Sequence, residues 1–264
     1  MTSDASPLFT AKAYGEPSLF QADNLLREGR RQRHLPDEAV PEICLLDPDG
    51  DVVRHLRQSR SVTLHKGWAC YHSELWVAQR AFGGLGIVPC AVGAPYAVLV
   101  AEELHASGCR LVVSVTSAGQ ILERATPPYF VLIDRAWRDE GTSLHYLPPS
   151  EWSHLDPGLS KRLRGGFTHL AEPVLTGTSW TTDAPLRETA TAIATAKDTG
   201  IDAVEMEPAA LYAYASARQR DVVCVAHVTN TMAIEGDDFE KGESDGTYRI
   251  LSVVDAIADR WARP

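Results

Sequence analysis

No apolar run in this 264-residue chain approaches the roughly 20 residues that a helix needs to cross a bilayer, so no membrane-spanning helix is expected. A basic excess is missing too. Against 25 Lys and Arg stand 35 Asp and Glu, for a formal net charge of -10. An acidic surface repels phosphate backbones and anionic lipid heads, which disfavours nucleic acid and membrane partners. Cysteine is sparse. Cys44, Cys70, Cys90, Cys109 and Cys224 form no C-x-x-C pair and no zinc spacing, so no metal is expected, and they read as buried, reduced thiols of a reducing compartment. The first residues, Met1–Ala5, lack the basic and apolar regions of a signal peptide, and a cytoplasmic location is expected. G-x-x-x-x-G-K-[ST], H-E-x-x-H and G-x-S-x-G are all absent. Gly83, Gly84 and Gly86 match the opening of a dinucleotide fingerprint, but position 89 is Pro89 and the glycines precede a strand, so no dinucleotide cofactor is expected.

What is present suits a folded enzyme. Hydrophobic residues make up 44% and charged residues 23%, enough for a sizeable core. Residues 1–40 are polar and mixed in sign and read as an arm, with a short helix around Leu25–Arg31. Its Arg27, Arg30, Arg31, Arg33 and His34 read as a solvated face. Residues 41–264 alternate short apolar runs with helical patterns. Strands are expected at Glu42–Asp47, Ile87–Val92, Leu111–Val115, Tyr129–Ile133 and Val222–Thr229. Helices are expected at Tyr96–Ser107, Arg187–Asp198, Met206–Gln219 and Ile250–Trp261, the first preceded by a Gly93-Ala94-Pro95 turn. This alternation predicts one α/β domain with a central mixed β-sheet flanked by helices. Gly236–Gly246 is polar, Gly-rich and read as a loop.

Four segments carry possible chemistry. Val115-Thr116-Ser117-Ala118-Gly119 follows an apolar strand, and small residues with hydroxyls at a strand end admit a ligand closely; a plain tight turn fits equally. Glu205-Met206-Glu207 sets two carboxylates around a thioether at a helix start. Carboxylates accept hydrogen bonds from a vicinal diol, as in ribose, and a thioether suits a sugar face, although ordinary helix-start acids look the same. Residues 136–149 are polar and aromatic, and site-lining, interface and loop readings all fit. In residues 177–189, Trp180 can pack on a base, while Arg187 can donate to base carbonyls or pair with Glu188 or Asp183.

Together these segments resemble the nucleoside phosphorylase family of uridine phosphorylase, hexameric purine nucleoside phosphorylase and the methylthioadenosine nucleosidases. Val204-Glu205-Met206-Glu207 followed by Ala209-Ala210-Leu211 resembles the V-E-M-E-x-A-A-L hallmark, and Gly93-Ala94-Pro95-Tyr96-Ala97 resembles the G-x-P-S-A turn with Tyr96 in the serine's place. Val115–Gly119 stands at the G-T-x-G loop, and Arg138–Ser143 and Thr181–Pro185 also look familial. The resemblance implies the family fold, a homo-oligomer (dimer or hexamer) and attack at the anomeric carbon of a nucleoside, with phosphate as co-substrate and no further cofactor. It implies Glu205, Met206 and Glu207 at the ribose, Thr116, Ser117 and Gly119 at the phosphate or nucleophile, and Thr178, Trp180, Asp183 and Arg187 around the base, with Glu207 and Asn230 catalytic.

Three departures bear on this. Ser114 stands where the phosphorylases carry an arginine. The N-terminal G-D-P-x-R loop is reduced to Leu46-Asp47-Pro48-Asp49-Gly50. Thr229-Asn230 replaces the Ser-Asp of purine-cleaving members, and an amide is no general acid; uridine phosphorylases also have Asn here, and that resemblance tilts the base toward a uridine-type pyrimidine. The leading expectation is phosphorolysis to base and ribose 1-phosphate, with Arg54, Arg57 or Arg60 of a neighbouring subunit replacing the lost cations. Hydrolysis by water is the alternative, and a non-catalytic nucleoside-binding protein the third.

Overall fold

The computed structural model describes residues 6–10, 12–232 and 239–263. Its elements are α1 (Ala22–Arg33), β1 (Ile43–Asp47), α2 (Asp51–Gln58), β2 (Val62–Leu64), β3 (Trp76–Arg80), β4 (Gly83–Pro89), α3 (Ala94–Ala106), β5 (Leu111–Gln120) and β6 (Tyr129–Asp139). There follow α4 (Ser143–Tyr146), β7 (Trp152–His154), α5 (Pro157–Leu163), β8 (Val174–Thr182), α6 (Ala190–Thr199), β9 (Ala203–Glu205), α7 (Pro208–Arg218), β10 (Asp221–Asn230) and α8 (Thr247–Ala262). This is the expected α/β domain with a mixed sheet. Of the loop read at Gly236–Gly246, residues 236–238 lie outside the described residues.

The apolar runs become central strands because parallel strands are covered on both faces. All five residues of β1 are buried between β4 and β5, both parallel to it. Gly86 of β4 allows that packing, since a Cβ there would lie 2.7 Å from Cys44 Sγ. Beyond β4, β3 and β2 continue the sheet antiparallel. On the other side the sheet closes on itself. β5 pairs with β10, β10 with β6, β6 with β8, β8 with β9, and β9 with β5. The closure consumes strand edges that would otherwise stand open.

β5 and β6 run five or six residues past their expected ends. β4 stops earlier than expected, at Pro89, because Cys90 takes a left-handed backbone (φ 60). Cys90 is exposed, unlike the other four cysteines, which are buried. Helix α7 is buried on nearly every side, from Ala209 to Ala215, and packs against α3. Helix α8 is one-sided. Ile250, Leu251, Val253, Val254 and Ile257 face the core, which fits an amphipathic surface helix. α1 packs on α3, laying the arm against the domain. No helix among the described residues is long and apolar enough to cross a membrane.

Candidate active site

The carboxyl ends of β5 and β10 meet β9 at one level. Gly119 is paired with Asn230 on one side and Val204 on the other. The β10 register shifts between Val228 and Asn230, and this bulge brings Asn230 opposite Gly119. A side chain at position 119 has no room, because a Cβ would stand 2.7 Å from Met232 Sδ and 3.4 Å from Asn230 Oδ1. Asn230 is buried and turned back on its own loop. Its Oδ1 accepts from the Met232 N–H at 2.9 Å and its Nδ2 donates to Thr229 Oγ1 at 3.3 Å.

Glu205, Met206 and Glu207 lead from β9 into α7. Thr181 donates to Glu205 Oε1 at 2.7 Å, and the Glu207 N–H donates to Glu205 Oε2 at 2.8 Å. Thr181 Oγ1 also accepts from the Ala209 N–H at 2.9 Å, satisfying a free donor in the first turn of α7. Both oxygens of Glu205 thus accept hydrogen bonds from the protein. Burial, and then the Glu207 charge, push the Glu205 carboxyl far above the usual range.

Glu207 is differently placed. It is the N-cap residue of α7, yet its side chain caps nothing there. Oε1 accepts from the Gly93 N–H at 2.7 Å, and Oε2 is buried without a hydrogen-bond partner. Gly93 is itself the N-cap of α3, with a φ of 85 that favours glycine. Burial pushes Glu207 up to about 7, against the lowering effect of the Gly93 N–H, the Thr116 hydroxyl and the Met206 backbone, and the Asp49 charge adds to the rise. Met206 is half-buried, its Cε 4.0 Å from where a Gly93 Cβ would stand.

A second group of charges gathers at the ends of β1 and β5. Ser117 donates to Asp49 Oδ2. Lys241 bridges Asp49 Oδ2 at 3.0 Å and Asp51 Oδ2 at 2.6 Å. Arg54 pairs with Asp51 and, at 3.0 Å, with Asp245. Asp47 Oδ2 accepts from the Val53 N–H at 3.1 Å, and burial raises this carboxyl to about 7. Buried Thr116 donates to the Ser117 carbonyl at 3.3 Å. His227, opposite Ser117 on β10, stacks on Phe130 with centroids 4.5 Å apart; burial drives it down to about 4, so it is neutral.

The family model described as the phosphorylase superfamily matches residues 36–258. The chain belongs to that superfamily. Among solved structures, uridine phosphorylase from Vibrio fischeri ES114 complexed with 6-hydroxy-1-naphthoic acid is similar, with a TM-score of 0.65 and 18% identity over 85% of this chain and 87% of that one. Another structure of uridine phosphorylase from Vibrio fischeri ES114 has a TM-score of 0.62 and 17% identity, over 85% and 88%. At these identities the likeness is one of fold. No curated protein matches the sequence.

The base-side residues read from the sequence lie on β8 and in the segment that follows it. Trp180 is buried in a second small core with Ile121, Ile201 and Val204, against Met232, and its Nε1 donates to Asp139 at 3.0 Å. Thr178 donates to the Gly200 carbonyl at 2.9 Å. Asp183 accepts from the Gly141 N–H at 2.9 Å. Arg187 is exposed, and the suggested pairing with Glu188 or Asp183 is not among the ion pairs of the described residues. Arg138 ties residues 136–150 together, donating to Ser143 and Ser150 at 2.8 and 2.6 Å. Of the arginines invoked as replacement cations, Arg54 is engaged within its own chain and Arg57 lies over the Trp76 ring at 4.5 Å. A cavity of about 580 Å³ between the arm and α3 contains none of the strand-end residues.

Sequence reasoning missed Gly93 as the partner of Glu207, and Asp49 and Lys241 as partners of Ser117. The alternating acids of Asp47-Pro48-Asp49-Gly50-Asp51, directly after a buried strand, were the available signal.

Proposed function

We propose that this chain cleaves the N-glycosidic bond of a nucleoside, with Glu207 binding the ribose 2′- and 3′-hydroxyls. The carrying observation is Glu207 Oε2, a buried acceptor without a donor. Such a group costs about 1–3 kcal/mol. Two sugar hydroxyls would supply the missing donors, with Met206 against the sugar face.

Water suits the nucleophile position better than phosphate. The end of β1, the turn after it and the start of α2 place Asp47, Asp49 and Asp51 close together in sequence, and the cations Lys241 and Arg54 are already paired with acids. A phosphate dianion would meet net repulsion there. In the hydrolytic step the water oxygen bonds to the anomeric carbon as the C–N bond breaks. The bond pair passes to the base nitrogen, which takes a proton from solvent, and Asp49 accepts the proton of the water. Asn230 stands where uridine phosphorylases also have Asn, which favours a uridine-type base. A cytoplasmic homo-oligomer, dimer or hexamer, needing no metal or cofactor, completes the proposal.

The test is a nucleoside panel incubated with and without phosphate, followed by chromatography of the bases and sugars. Free ribose in phosphate-free buffer supports hydrolysis. Strict phosphate dependence with ribose 1-phosphate returns the chain to phosphorolysis. Tight binding without turnover across the panel makes it a nucleoside-binding protein.

A further inference from the structure

Three neighbouring parallel strands deliver one donor, one acceptor and one cation to a single point. Asp49 follows β1, Ser117 ends β5 and Lys241 lies beyond β10. The Ser117 hydroxyl and the Lys241 ammonium converge on the same atom, Asp49 Oδ2. A hydroxyl and an ammonium sharing one acceptor oxygen form a donor set that binds any anionic oxygen, including that of a phosphate. Here the protein's own carboxylate fills it. Ser117 lies two residues before Gly119 on β5, and Gly119 pairs with Asn230 and with Val204, so the cradle stands at the same strand ends as residues 205–207.

The surroundings keep the cradle filled. Lys241 is tied to Asp51 as well, Asp51 to Arg54, and Arg54 to Asp245. An arriving phosphate would have to displace a carboxylate tethered to the chain, which competes at high effective concentration. It would also bring two negative charges beside Asp47 and Asp51.

We propose that Asp49 selects the nucleophile: its carboxylate occupies a ready-made subsite for a phosphate oxygen and thereby reserves the reaction for water. This rests on reading the centre as one that cleaves a glycosidic bond. Removing the carboxylate leaves Ser117 Oγ and Lys241 Nζ as free donors and removes the acceptor for the proton of the water. With phosphate bound there instead, a phosphate oxygen would bond to the anomeric carbon as the C–N bond breaks, giving ribose 1-phosphate and the base.

The experiment is calorimetric titration of inorganic phosphate into wild type, Asp49→Ala and the double variant Asp49→Ala/Lys241→Met, with product analysis alongside. Asp49→Ala should bind phosphate at least ~10-fold tighter than wild type, the equivalent of about 1.4 kcal/mol. The double variant should lose that gain. Phosphate-free turnover should fall, and ribose 1-phosphate should appear when phosphate is added. Asp49→Ser is titrated in the same way in case the alanine variant melts too low. Phosphate affinity within twofold of wild type in both single variants overturns the proposal. A wild type that needs phosphate, or that cleaves nothing, would instead remove the parent reading, while the titration still reports on the cradle.

Discussion

Glu207 turns its carboxylate away from the helix it caps and onto the backbone N–H of Gly93, at 2.7 Å, joining the N-terminus of α7 to that of α3. One oxygen is thereby fixed, and the other is buried without a hydrogen-bond partner, with the Thr116 hydroxyl close to the carboxylate. Replacing the charge by an amide, as in Glu207→Gln, should lower kcat/KM by roughly 10- to 100-fold for each ribose hydroxyl that loses its charged acceptor. Steady-state kinetics on the best nucleoside of the panel will show it. Unchanged kinetics would remove Glu207 from the sugar site.

The same residue sets a pH window. Its carboxyl lies near 7 in the folded protein against 4.5 in the unfolded chain. Between those values the native state holds a proton that the unfolded state has released. This contribution to stability is therefore present below about pH 4.5 and lost as pH rises through 7. Relative to Glu207→Gln, wild type should lose about 3 kcal/mol between pH 4.5 and 8. Denaturant melts of both proteins across that range measure the difference. If diol binding needs the carboxylate, nucleoside affinity should rise over the upper part of the same window.

Glu205 should behave differently. Its two oxygens hold the Thr181 hydroxyl and the Glu207 N–H. Glu205→Gln keeps an acceptor for one of the two donors and sets an NH2 against the other, so it should lose less stability and activity than Glu205→Ala. Glu205→Ala strands two buried donors and should cost about 2–5 kcal/mol. Thermal melts with kinetics separate the two variants, and equal loss of activity in both without loss of stability would make Glu205 a direct sugar ligand.

Much of this was legible in the chain itself, for identifiable reasons. β1 and β10 are uninterrupted apolar runs, and their limits were read within a residue or so. β8 was not read as a strand, because Val174-Leu175-Thr176-Gly177-Thr178-Ser179 is polar and half-exposed and owes its form to pairing with β6 and β9. β5 looked shorter because its last five residues are small and polar, and their burial comes from β9 and β10. Glu207 was visible in the run Val204–Leu211. Its free oxygen was not, since that depends on Gly93. The Asp49 contacts to Ser117 and Lys241 span 68 and 192 residues of sequence, and no local pattern encodes them.

Gly246 supports Lys241 from below. It has φ 73, and a Cβ there would stand 2.6 Å from His227 Cε1 and 2.8 Å from the Lys241 carbonyl oxygen. Gly246→Ala should cost about 1–3 kcal/mol and reduce turnover by shifting Lys241. Thermal melts and initial rates report the two effects. Wild-type values in both would show that the segment yields without consequence.

The most direct test of the ribose assignment compares kcat/KM for a ribonucleoside and its 2′,3′-dideoxy counterpart in wild type and Glu207→Gln. Strong preference for the ribonucleoside in wild type, collapsing in the variant, is the expected result. Equal preference in both proteins would contradict a Glu207 grip on the sugar diol.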